Sequence, residues 1–154
     1  MAGRPPRAHS CKLRVGRVSE PNRAYVITAV TADRQPFFAD WRWGRIVVQA
    51  MRSESDRAET LAFVVMPDHL HWLLRLEDGS TLDKVVGSVK SVSAHRLNQT
   101  FERRGPVWQS GYHDHALRTD EDLVAVARYM VANPLRAGLV PHLGDYVLWD
   151  AIWV

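Results

Sequence analysis

Hydrophobic positions along this chain change their period several times, and each change marks a new element. Residues 24–31 (AYVITAVT) are β-branched and aromatic and predict a first strand, which Gln35 and Pro36 break off. Within residues 40–57, Trp43, Ile46, Val47, Ala50 and Met51 recur at three- and four-residue intervals, the period of an amphipathic helix. Residues 61–66 and 69–76 read as two strands joined at Pro67 and Asp68 in a tight hairpin. A second helix is expected from a Ser80 cap to about Thr100, burying Leu82, Val85, Val86, Val89 and Leu97. Gly105 and Pro106 mark its exit, and residues 107–117 predict a fourth strand. Thr119 to Asp122 forms a helix start signal, and Pro134 should stop that third helix near Asn133. Residues 141–154, with Tyr146, Trp149 and Trp153, are expected to lie across the domain as an irregular apolar tail.

The order β-α-β-β-α-β-α is that of a ferredoxin-like split unit with one added C-terminal helix, an α+β fold with an antiparallel sheet under two helices. A chain of 154 residues, 46% hydrophobic, can bury one core and is too short for two ordinary domains. Lys and Arg exceed Asp and Glu by 20 to 17, which permits a nucleic-acid partner. The excess concentrates at the start, where Arg4, Arg7, Lys12, Arg14, Arg17 and Arg23 face only Glu20. Residues 1–20 therefore read as a basic N-terminal segment, either a disordered leader or a phosphate-contacting arm, ahead of a single domain over 21–154. Cys11 stands alone, so neither a disulfide framework nor a cysteine zinc cage is available, and a reducing cytoplasm is the expected setting. No apolar run reaches the roughly 18 residues that span a bilayer, so no membrane partner is expected.

Candidate chemistry gathers in three places. Strand alternation puts His69 and His71 on one face while Leu70 and Trp72 take the other, and two imidazoles so placed can share a divalent metal. Spacing alone favours two ordinary histidines over a metal pair. On the third helix, Tyr129 and Asn133 stand four apart, so a hydroxyl nucleophile and an amide ligand can project together. A boundary tyrosine and a pre-proline helix terminator would look the same. His113 and His115 also share one strand face, with a supporting or DNA-facing role ahead of a second metal site because Asp114 intervenes. Lys90, Arg118, Arg14 and Arg17 are candidate phosphate contacts, with solvated charge as the default, and Trp108 is expected in the core although its ring could also stack on a base.

Three stretches taken together carry a resemblance. MPDHLHWLL at 66–74, VWQ at 107–109 and YMVANPLRAGLV at 129–140 resemble the REP-associated tyrosine transposases, bacterial relatives of insertion-sequence transposases, in matching order over roughly residues 24–150. The resemblance implies a single-tyrosine HUH (His-hydrophobic-His) DNA endonuclease and strand transferase. It implies Tyr129 as nucleophile and His69, His71 and Asn133 as ligands of Mg²⁺ or Mn²⁺; Asp68, His113 and His115 are, on their positions, candidate supporting groups. Asn at the third ligand position, where insertion-sequence relatives commonly have Gln, points to the REP-associated branch. The implied substrate is single-stranded DNA folded into palindromic repeat hairpins, cut through a 5′-phosphotyrosine intermediate, by a cytoplasmic, nucleoid-associated protein. A monomer is favoured over a homodimer. The rival reading is a hairpin-binding or regulatory module of the same fold that performs no transposition. A histidine-triad hydrolase is excluded by Leu73 at the next alternate position, and an amidohydrolase barrel needs on the order of 250 residues.

Overall fold

The computed structural model describes residues 19–20, 22–118 and 122–153. Arg14 and Arg17, most of the 1–20 segment, and residues 119–121 of the expected helix start lie outside the described residues. Five strands form one antiparallel sheet: β1 (Ala24–Val30), β2 (Ala58–Met66), β3 (His69–Leu76), β4 (His113–Ala116) and β5 (Trp149–Ala151), in the order β4-β1-β3-β2-β5. The first four follow the ferredoxin-like order expected from the element pattern. Helices α1 (Trp41–Arg52) and α2 (Leu82–Thr100) connect β1 to β2 and β3 to β4. Helix α3 (Leu123–Val131) and the four-residue α4 (Asn133–Arg136) follow β4.

Alternation along the strands decides what each sheet face covers. Tyr25, Ile27 and Ala29 of β1, Phe63 and Val65 of β2, and Leu70, Trp72, Leu74 and Leu76 of β3 pack with α1 and α2 in one core. The opposite face carries a smaller core, in which Ala24, Ala62, Val64, Met66 and Leu73 meet Ala127, Met130 and Val131 of α3. The sheet is thus covered on both sides. His69 and His71 fall on the α3 side because their neighbours Leu70 and Trp72 point into the larger core. Indole nitrogens carried into that core are satisfied: Trp72 donates to Thr60 Oγ1 at 3.0 Å and Trp108 to Ser93 Oγ at 3.0 Å.

Several sequence expectations shift in the structure. Helix α2 begins one residue later than the Ser80 cap predicted, because the Thr81 hydroxyl accepts from Lys84 N while Ser80 is buried. The five apolar residues expected along its buried stripe are all buried. The fourth strand is only four residues long. Gly111, at φ +74°, turns the chain before it, and Val107 and Trp108, buried in the α1–α2 core, reach the end of β1 only through a single antiparallel bridge between Trp108 and Thr31. Trp108 is therefore a core residue, 8% exposed. The third helix stops at Val131, two residues before the expected point, and Pro134 then sits in the first turn of α4, where its missing N–H is harmless. The tail is not irregular throughout: β5 pairs with β2 at its edge, and the Tyr146 hydroxyl donates to Val65 O at 2.5 Å.

Candidate metal and nucleophile site

The β2–β3 turn places the histidine pair. Its carbonyls are held from outside the hairpin, since Thr31 N donates to Asp68 O at 2.9 Å, the Thr31 hydroxyl lies between Gln35 O at 2.8 Å and Asp68 O at 3.0 Å, and Phe38 N donates to Pro67 O at 3.0 Å. Thr31 is fully buried, so this anchor is sheltered from water. His69 opens β3 directly beyond the turn, and His71 lies two residues on, on the same face. Their Nε2 atoms stand 3.1 Å apart.

Each outer nitrogen has a partner. His69 Nδ1 lies 2.6 Å from Asp68 Oδ1, and Asp68 Oδ2 is 3.4 Å from Arg34 Nη1. His71 Nδ1 lies 3.1 Å from the Thr28 hydroxyl. Because an ionised carboxylate only accepts, Asp68 makes His69 Nδ1 the protonated nitrogen and turns the Nε2 lone pair toward His71. A hydroxyl can donate or accept, so Thr28 tolerates either tautomer of His71. Two Nε2 lone pairs cannot face one another at this distance without a proton or a cation between them. For comparison, two nitrogens about 2.1 Å from one ion and at right angles stand about 3.0 Å apart. That spacing suits either a proton shared between the rings or two ligands of one divalent ion, while the third expected ligand, Asn133, has its Oδ1 on Arg136 Nη2.

Burial, the charge of His69 and the charge of Arg136 together push the His71 pKa down from 6.5 to about 4, so that imidazole is neutral and its lone pair available near pH 7. For Asp68, burial acts to raise the pKa, but the hydrogen bond and charge of His69 and the nearby Arg34 outweigh it and hold the carboxyl below its usual range.

The tyrosine set is built by the helix pair. Asp122 caps α3, its Oδ1 accepting from Val124 N and Ala125 N at 3.0 and 3.1 Å. Ala127, Met130 and Val131 bury the inner face of the helix against the sheet, which leaves Tyr129 70% exposed. Asn133 and Arg136 follow on α4, and Arg136 joins the group: its Nη2 donates to Asn133 Oδ1 at 2.5 Å, and its guanidinium lies 3.8 Å over the Tyr129 ring. Since the same guanidinium helps depress His71, Arg136 ties the tyrosine set to the histidine pair electrostatically. Its role was missed in the sequence reading, although the spacing of Tyr129, Asn133 and Arg136, at i, i+4 and i+7, is that of one helical face.

The remaining predicted residues separate into two groups. His113 and His115 are opposite Thr28 and Val26 in the β1–β4 register, and Thr28 is opposite His71 in the β1–β3 register. Both therefore lie on the α3 side of the sheet, exposed, with β1 between them and the histidine pair. Lys90 is engaged elsewhere, its ammonium donating to Gln109 O and Gly111 O at 2.7 and 2.5 Å and so pinning the loop before β4 to α2. Arg118 is exposed just beyond β4.

Comparison with known proteins gives one family. The model of the IS200-like transposases matches residues 20–133. A protein of Haemophilus influenzae named as a REP-associated tyrosine transposase is 26% identical over 98 residues, which cover 57% of this chain and 56% of the relative, so the chain spans little more than half of that protein's length. Among solved structures, a REP-associated tyrosine transposase bound to a REP hairpin superposes with a TM-score of 0.72 at 21% identity, over 86% of this chain and 79% of that one. A Deinococcus radiodurans protein described as a transposase gives 0.53 at 23% identity, over 77% and 95%. The two structural likenesses speak for the fold.

Proposed function

The chain belongs to the IS200-like transposase family, and from that premise we propose that it is a single-tyrosine HUH endonuclease and strand transferase acting on single-stranded DNA that carries palindromic repeat hairpins. The observation that supports this reading is the pairing, on one side of the sheet, of two facing imidazoles with a tyrosine helix whose Arg136 also acts on His71. A second reading, a hairpin-binding module without chemistry, remains as an outcome of the test.

Tyr129 supplies the nucleophile. Its exposed hydroxyl attacks the phosphorus of a DNA phosphodiester; the Oη–P bond forms as the P–O3′ bond breaks, leaving a 3′-hydroxyl and a 5′-phosphotyrosine. The phenolic proton is released and the departing 3′-oxygen takes one up, so no proton is gained or lost overall. A second DNA 3′-hydroxyl can reverse these bond changes and join a new strand, which requires no nucleotide energy source. His69, His71 and Asn133 are the residues that would hold Mg²⁺ or Mn²⁺, which when bound polarises the phosphate and favours attack. Asp68 and Thr28 orient the two rings so that both Nε2 atoms face the same point.

The test is covalent. Wild type and Tyr129→Phe are incubated with end-labelled single-stranded hairpin oligonucleotides made from palindromic repeats of the source genome, with Mn²⁺, and run on denaturing gels. A protein–DNA adduct in wild type, lost in the variant, is expected. Tight hairpin binding with no adduct from wild type would favour the binding module.

A further inference from the structure

Arg136 is an exposed cation that the fold holds in place. Its guanidinium is stacked 3.8 Å above the Tyr129 ring and tethered through one N–H to Asn133 Oδ1. Among the described residues no carboxylate pairs with it. An Arg side chain has five N–H donors, so four remain after the Asn133 bond, arranged in a planar fork that matches two oxygens of a phosphate. Stacking on the ring and the Asn133 tether restrain the long side chain, which lowers the ordering entropy lost when a ligand binds. The position matters as much as the charge: the cation lies against the ring of the nucleophile.

We propose that Arg136 forms a phosphate seat, binding the non-bridging oxygens of the DNA phosphodiester that Tyr129 attacks and holding that phosphate beside the phenolic oxygen. This rests on the reading of Tyr129 and single-stranded DNA given above. A role confined to joining α3 to α4 would need only the tether and the stack. It would not need an exposed charge over the tyrosine ring with no carboxylate partner among the described residues. Once the phosphotyrosine has formed, the same fork would stay on the transferred group, so Arg136 serves cleavage and rejoining alike.

The experiment uses two readouts on the full chain. In a Tyr129→Phe background, which keeps the ring under the guanidinium, hairpin affinity is measured by fluorescence anisotropy across a series of salt concentrations, with Arg136 intact or changed to Ala or Lys. In the background with Tyr129 intact, the rate of Mn²⁺-dependent adduct formation is followed on denaturing gels. A residue that neutralises one phosphate of a single strand contributes about 0.7 to the slope of log affinity against log salt. Arg136→Ala is therefore expected to lose about that much slope, and to slow adduct formation by about a hundredfold, the scale for removing one preorganised donor from a transition state. Arg136→Lys should restore the slope but only part of the rate, because it returns the charge without the fork. An unchanged slope in Arg136→Ala overturns the phosphate seat whatever the gels show. A reduced slope with no adduct from wild type supports the seat and overturns the covalent reading, so the two ideas fail separately.

Discussion

His71 carries the strongest titration signature in the site, and its direction is set by its surroundings more than by its partner. Burial and two nearby positive charges disfavour the imidazolium, lowering the pKa from 6.5 to about 4. An unfolded chain binds the proton at the higher value and the folded protein at the lower one. Between the two the unfolded state holds more protons, so stability is lost as pH falls through that window. The full shift corresponds to on the order of 3 kcal/mol. In chelator-treated protein, urea midpoints at pH 7 and pH 4.5 should differ more for wild type than for His71→Gln, which cannot titrate; an equal pH response in the two proteins would remove His71 as the source. Period two and period 3.6 placed the imidazole pair and Tyr129 on faces, but their roles were legible only through the resemblance of the three motifs, since spacing alone fits ordinary residues as well. Asp68, next to His69, was a candidate supporting group in the sequence, whereas nothing there showed that Thr28 would hold the His71 ring, since Thr28 comes from a different strand.

At the scale of elements, the tyrosine helix is short and depends on its ends. Nine residues are too few to be stable alone in water, so α3 relies on its packed face and on the Asp122 cap. Asp122→Ala removes the acceptor for two backbone N–H groups and should cost about 1 kcal/mol. It should also reduce adduct formation severalfold through a less ordered Tyr129, with hairpin affinity little changed. Asp122→Asn, which retains a capping oxygen, should recover the melting temperature and rate; recovery in neither would separate the cap from the site. Caps and helix stripes were readable because they are local, as the buried residues of α2 show. The expected fourth strand is divided in two because Gly111, at φ +74°, separates a segment that bridges the end of β1 at Trp108 from the paired residues of β4.

For the whole molecule, the feature of greatest consequence is a sheet covered on both faces and extended at one edge by the tail. Leu148 and Ala151 are buried, Tyr146 bonds to Val65 O, and β5 pairs with β2. Truncation after residue 140 should therefore lower stability by about 2 kcal/mol or more, the scale of burying one or two apolar side chains. It should also expose the β2 edge to intermolecular pairing. Denaturant titration and light scattering check both effects, and a truncated chain with unchanged midpoint and no association would assign the tail no structural part. The sequence by itself determined the α+β order, the hairpin that carries two histidines on one face, and the tyrosine helix, because each depends on neighbours within a few residues. The tertiary structure alone decided that β5 closes the edge, that Thr28 holds the His71 ring, and that the Arg136 cation comes close enough to act on His71. Those relations join separate strands and helices, and no local period records them.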